Sequence, residues 1–230
     1  ASKWSCVKNG GAPVLGSSVS IARGDSVICT IVNDDIAPPP AGACDLNQAP
    51  AGYTLQSGTI ANDTVTLAPY TMYRGNGGND KVTTGNGNYI ICMGVGNDVI
   101  TTGNGNVTID AGGGNNTITT GNGNGYITSG VGNDTITTGT GIHSINAGGG
   151  DNTIVTGDGN QTVTTGIGND KITTGGGDDV VNGGGGNNTV KTNGGADTIV
   201  TGIGNDIIDG GPGIDSCNAG GGTNTVTNCP

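Results

Sequence analysis

The chain contains no glutamate and no phenylalanine, one histidine, one tryptophan and only 7 basic residues in 230. An aromatic-filled globular core is therefore excluded. With so few lysines and arginines and a net charge of −11, nucleic acid is not an expected partner, because neutralising phosphates needs clustered cations. No apolar run approaches the length that crosses a bilayer, so no membrane span is expected. No basic-then-apolar leader precedes Ala1, and any export signal is expected to be already removed or to lie outside this stretch. No GxSxG, HExxH or P-loop pattern is present, and the glycine-rich turns are not followed by helical patterns that could cradle phosphate. His143 has no second histidine or glutamate to work with, so it reads as a solvated turn residue and no catalytic residue is assigned.

What the sequence has is glycine, 50 residues of it, and aspartate, 18 residues that carry all the negative charge. Collagen would need glycine at every third position, and a disordered linker would not space Ile and Val so regularly. A repeat fold remains. The six cysteines, Cys6, Cys29, Cys44, Cys92, Cys217 and Cys229, form no CxxC pair, which argues against zinc and for disulfides in an oxidising compartment. Of the many connectivities that six cysteines permit, the expected pairs are Cys6–Cys29, Cys44–Cys92 and Cys217–Cys229.

Composition divides the chain at about residues 37 and 74. Residues 1–37 hold alternating apolar stretches, "SSVSIA" and "DSVICTIV", split by "RGD" at Arg23 to Asp25, which reads as a hairpin turn. Residues 38–74 comprise a stiff "PPPAGA" linker and capping strands in "GYTLQSG" and "DTVTLAPYTMY". From Gly75 to Thr227 the chain divides into 17 nonapeptides without insertion. One residue in each is apolar, from Val82, Ile91 and Ile100 through to Cys217 and Val226, and all but Cys217 are β-branched. One apolar residue in nine makes no helical stripe and is too sparse for an ordinary sheet. It fits a solenoid in which six glycine-rich residues turn and three form a strand, so that two nonapeptides, 18 residues, make one coil. "TTGNGN" accordingly recurs at Thr83, Thr101 and Thr119.

The nonapeptides, for example "TGIGNDIIDGGPGIDSCN" from Thr201, resemble the RTX repeat, GGxGxDxUx, of the hemolysin-type calcium-binding proteins. The resemblance implies an all-β fold, a parallel β-roll of 17 nonapeptides over 75–230, closed by a C-terminal disulfide. Residues 1–37, through "WSCVKNGG" and "GDSVICTIVNDDIAP", resemble the end of an immunoglobulin-like or prealbumin-like domain of bacterial surface proteins with its leading strands missing. They predict a small, incomplete β-sandwich-like segment.

In the RTX family the turn supplies backbone carbonyls and the sixth-position aspartate, and calcium lies between turns stacked on one edge. Calcium takes 6–8 oxygens, and closely bent glycines let carbonyls converge. On one edge the sixth position reads Asp80, Asp98, Asn116, Asp134, Asn152, Asp170, Asn188, Asp206 and Asn224, so the repeat is a double coil of 36 residues. On the other it reads Tyr89, Val107, Gly125, His143, Gln161, Asp179, Asp197 and Asp215, so calcium is expected there only near the C-terminal end. The implied cofactor is Ca²⁺, with roughly five to ten ions per chain. Asn86, Asn104 and Asn122, and Asn88, Asn106 and Asn124, are expected to form ladders that satisfy one another by side-chain hydrogen bonds.

Thr83, Thr84, Thr101, Thr102, Thr117 to Thr120, Thr135 to Thr138, Thr173 and Thr174 predict three outward threonine columns on the first-edge strands, or simply a soluble sheet face. The combined reading is a non-enzymatic, calcium-stabilised extracellular structural or adhesive protein of bacterial type. Its expected partners are other copies of itself, joined head to tail by strand sharing into a filament or surface layer. One alternative is an ice-binding solenoid that uses the Thr and Asn arrays. Another is the RTX tail of a larger secreted protein. A glycan partner is also compatible with the Thr-rich face and with sequons such as "NDT" and "NQT".

Overall fold

The computed structural model describes residues 48–229 and Cys44, together with the backbone of strands Lys3–Lys8, Val14–Leu15 and Val27–Val32. The RGD turn and the proline linker lie outside the described residues. Residues 1–37 and 38–230 form two compact units. In the first, Lys3–Lys8 is the middle strand of a three-stranded antiparallel sheet, and its register sets Cys6 opposite Cys29.

The second unit is a parallel β-solenoid with two ten-stranded sheets on opposite sides. One runs from Thr54–Ser57 to Ser216–Asn218, the other from Thr64–Leu67 to Thr225–Thr227. Each strand pairs in parallel with the one a full coil later, as in Ile109↔Ile127↔Ile145 on one sheet and Ile118↔Ile136↔Ile154 on the other. The solenoid thus begins before the nonapeptides. The strands Thr54–Ser57, Thr64–Leu67 and Thr71–Arg74 already belong to the sheets, the first two pairing after a step of 17 residues rather than 18 (Thr54↔Thr71, Thr64↔Lys81).

Each three-residue strand is buried only at its centre, because successive side chains point to opposite faces. From Val82 to Ile208 the central residue is at most 2% exposed in every repeat, and these side chains form one continuous core. Burying each contributes about 2 kcal/mol. Cys217 is only partly buried and Val226 is exposed, since among the described residues no further coil stacks on theirs. At the N-terminal end Tyr73, Tyr89 and Met93 enlarge this core, and Met72, Ile90 and Cys92 form a second, separate cluster with Cys44, Ala49 and Tyr53. Both ends are stapled, by Cys44–Cys92 and by Cys217–Cys229.

The threonine columns are two, not three. Thr101, Thr117, Thr119, Thr135 and Thr137 are exposed, but Thr84, Thr102, Thr120, Thr138 and Thr174 are buried. Each of the buried set lies two residues after a buried core residue, so the strand's own alternation turns it inside. No helix among the described residues is long and apolar enough to cross a membrane.

Candidate functional site

The first-edge turns have the glycine of their fourth position at positive φ, from +99° at Gly78 to +159° at Gly168, which side-chain-bearing residues rarely adopt. The chain can therefore bend sharply enough to return the sixth residue to the interior. Asp80, Asp98, Asn116, Asp134, Asn152, Asp170, Asn188 and Asp206 are all buried and form a single file. In each pair of coils, Oδ1 of the later residue accepts the backbone N–H of the earlier one, from Asp80 N–H to Asp98 through to Asp206 N–H to Asn224, at 2.7–3.0 Å. The fifth residues make a second ladder of opposite sense. Asn79 Oδ1 accepts from Asn97 N–H, and the pattern repeats up to Asn205 and Thr223 at 2.6–2.8 Å.

Near the C-terminal end of the second edge the same file appears. Asp179 N–H donates to Asp197, and Asp197 N–H to Asp215, both at 2.8 Å. The structure thus brings the expected residues together as two files, and no single cluster forms. Among the described residues no three His, Cys, Asp or Glu side chains gather round one point. Asp98, Asp134, Asp170 and Asp206 have no second carboxylate in their own turn, whereas Asp179 has Asp178 beside it, so an ion held on the first edge would draw on backbone oxygens as well.

The second carboxylate oxygen shows what the turns lack. Oδ2 of Asp80, Asp98, Asp134, Asp170, Asp179, Asp197, Asp206 and Asp215 is buried with no hydrogen-bond partner. A buried charge without a partner is expensive, and the usual outcomes are neutralisation by a proton or by a cation. Burial, with Asp80 nearby, raises the Asp98 pKa to about 6, and burial with Asp197 and Asp178 nearby raises that of Asp179 to about 6. Asp80, Asp134, Asp170 and Asp197 are raised for the same first cause. Eight buried carboxylate oxygens without partners fit a hard, oxygen-seeking divalent ion.

A pH dependence follows for the metal-free protein. The folded pKa of Asp98 and Asp179 lies above the ordinary 3.8, so between about pH 4 and 6 the folded state binds more protons than the unfolded chain. That contribution is fully present below about pH 4 and is lost as pH rises through about 6. In chelator, thermal melts are expected to give a higher midpoint at about pH 4.5 than at about pH 7.5. A midpoint that rises with pH over that window would contradict the assignment.

Three further residues were less legible. Asp63 precedes the file, and its N–H donates to Asp80 Oδ1 at 2.8 Å. "ANDTV" at Ala61 to Val65 mirrors "GNDKV" at Gly78 to Val82, but the short step hides it from a strict ninefold count. His143 is 1% exposed, not solvated, and burial lowers its pKa, leaving a neutral ring. Gly125, one coil earlier, leaves room for it, since a Cβ there would lie 2.8 Å from His143 Nδ1. Gln161, also in the second-edge file, is buried with its Nε2 on the carbonyls of Gly141, Gly157 and Gly159 at 2.9–3.2 Å. The asparagine ladders of this edge are present but run from side chain to backbone. Asn86 Oδ1 accepts from Asn104 N–H and Asn88 Oδ1 from Asn106 N–H, both at 2.9 Å. The acceptor is thus used on the neighbouring backbone rather than on another amide.

No curated protein and no solved structure matches the chain. The family model for the RTX calcium-binding nonapeptide repeat, which spans four copies, matches residues 74–91, 94–127, 128–160, 156–190 and 192–226. The match covers the coils that carry both aspartate files, where the unpartnered oxygens call for a cation. A parallel solenoid of glycine-bent nonapeptides with that file along its turns belongs to the RTX calcium-binding repeat family.

Proposed function

We propose that Asp80, Asp98, Asp134, Asp170 and Asp206 on one edge, and Asp179, Asp197 and Asp215 on the other, hold calcium that locks successive turns, making residues 54–227 a calcium-stiffened, non-enzymatic structural module. The observation that carries this reading is the row of buried Oδ2 atoms without partners. Asn116, Asn152 and Asn188 share the file as neutral members. The two disulfides, Cys44–Cys92 and Cys217–Cys229, support an oxidising, extracellular setting. Such a module serves as a surface spacer or adhesive element of bacterial type. Among the described residues, the outer strands of the N-terminal sheet, Val14–Leu15 and Val27–Val32, pair on one side only, and copies join through such edges.

Equilibrium dialysis against calcium, followed by sedimentation velocity in calcium and in chelator, tests both parts. Several bound ions per chain and particles that grow with protein concentration are the expected results. Absence of bound calcium defeats the metal assignment. A monodisperse monomer in calcium defeats self-assembly and leaves an adhesive segment or the tail of a larger protein. The exposed threonines Thr117, Thr119, Thr135 and Thr137 support ice binding as a second reading, which thermal hysteresis would establish.

A further inference from the structure

Asparagine and aspartate do the same thing with Oδ1 along the first edge and opposite things with the other atom. Because Oδ1 accepts a backbone N–H, the second atom of each asparagine is its NH₂ group. Asn116 Nδ2 donates to Gly114 O at 3.1 Å and to Ser129 O, in the next coil, at 3.3 Å. Asn152 Nδ2 donates to Gly150 O at 2.9 Å and Asn188 Nδ2 to Gly186 O at 3.2 Å. The aspartates at the corresponding place present an unpartnered oxygen instead. On the second edge Gln161 Nε2 sits among three turn carbonyls, where a partial positive charge stands in for a whole one.

The rest of each turn follows the same alternation. Five residues before the sixth position stands a hydroxyl in the later aspartate turns, Ser129, Thr165 and Thr201. In the asparagine turns it is Ala111, Ala147, Gly183 or Ala219. The backbone differs too. The fourth-position glycine has φ of +118° to +120° at Gly114, Gly150 and Gly186 but +141° to +159° at Gly96, Gly132, Gly168 and Gly204. Two kinds of turn are built, each adjusted around its own sixth residue.

We propose that Asn116, Asn152, Asn188 and Gln161 are internal substitutes for a cation, so that calcium loads only the eight aspartate turns and, from Asp98 to Asp206, only every second gap of the first edge. Successive ions there are then about 9.6 Å apart, twice the strand spacing, which halves the density of charge along the edge. The asparagine turns stay closed when calcium is withdrawn. They act as fixed splints between turns that load and unload. This inference rests on the calcium reading above.

The test is calcium stoichiometry and chelator-state stability of the full chain, wild type against Asn152→Asp and Asp134→Asn. Asn152→Asp is expected to bind one more calcium than wild type and to melt lower in chelator, by about 3 °C or more. Asp134→Asn is expected to bind one fewer and to melt higher in chelator. It provides the readout if Asn152→Asp fails to fold. Calcium binding by wild type with no change of stoichiometry in Asp134→Asn, or in a folded Asn152→Asp, overturns the substitution rule and leaves the calcium reading standing. A wild-type chain that binds no calcium overturns both.

Discussion

Chelation at neutral pH is expected to lower the thermal midpoint of the solenoid by more than roughly 20 °C. The magnitude follows from linkage. An ion at a hundred times its dissociation constant stabilises the folded state by about 2.7 kcal/mol per site, and a chain of this size gains roughly 2–4 °C per kcal/mol, so about three loaded sites suffice. Without the metal, eight buried carboxylate oxygens are left without a partner. The core is only one aliphatic side chain deep per repeat and cannot carry that load. Far-UV circular dichroism and scanning calorimetry, in calcium and then in chelator, measure the loss. Magnesium is expected to restore little, because it demands near-ideal octahedral geometry at shorter distances. An unchanged midpoint in chelator would show that protons or the asparagine turns alone hold the coils closed. The loss should be least between Asn86 and Asn124, where the second-edge ladders use no carboxylate.

Where the chain repeats strictly, its fold was legible. One β-branched residue in nine fixes the inward face, and 18 residues fix the coil, so the core from Val82 to Ile208 and the aspartate file could be named from the sequence. What escaped depends on neighbours one coil away, which a linear pattern does not display. Thr84 and Thr102 lie two residues after the inward Val82 and Ile100, so the period of two turns them inside, and only the identical neighbours Thr83 and Thr101 face outward. His143 looks like a polar turn residue until Gly125 is set beneath it. Asp63 is hidden by a single missing residue in the step to Asp80. The contrast between Asp and Asn was visible as letters. Its consequence, an empty acceptor in one and a satisfied amide in the other, needed the carbonyls of Gly114, Gly150 and Gly186 in place.

Neighbouring glycines should respond very differently to the same methyl group. Gly148→Ala is expected to destabilise the calcium-loaded solenoid by about 3–5 kcal/mol, whereas Gly149→Ala should stay within about 0.5 kcal/mol of wild type. Gly148 has φ of +66°, and a Cβ on it would lie 1.7 Å from the carbonyl oxygen of Gly130 in the coil before. The left-handed backbone alone costs an alanine about 1–2 kcal/mol, and the clash can be relieved only by prising two hydrogen-bonded coils apart. Gly149 has no positive φ, and its Cβ would meet nothing nearer than Ile167 O at 3.6 Å. The flanking coils already carry exposed side chains there, Val131 and Ile167, so the position tolerates bulk. The same close approach recurs at Gly112 and Gly184, each with a Cβ position 1.8 Å from a carbonyl of the preceding coil. A fixed coil spacing therefore sets which glycines of "GGG" are obligatory. Urea titrations of the two alanine variants in saturating calcium decide the point. Equal losses at both positions would mean that the coils are not stacked this closely, and with them would go the convergence of carbonyls on which each proposed ion depends.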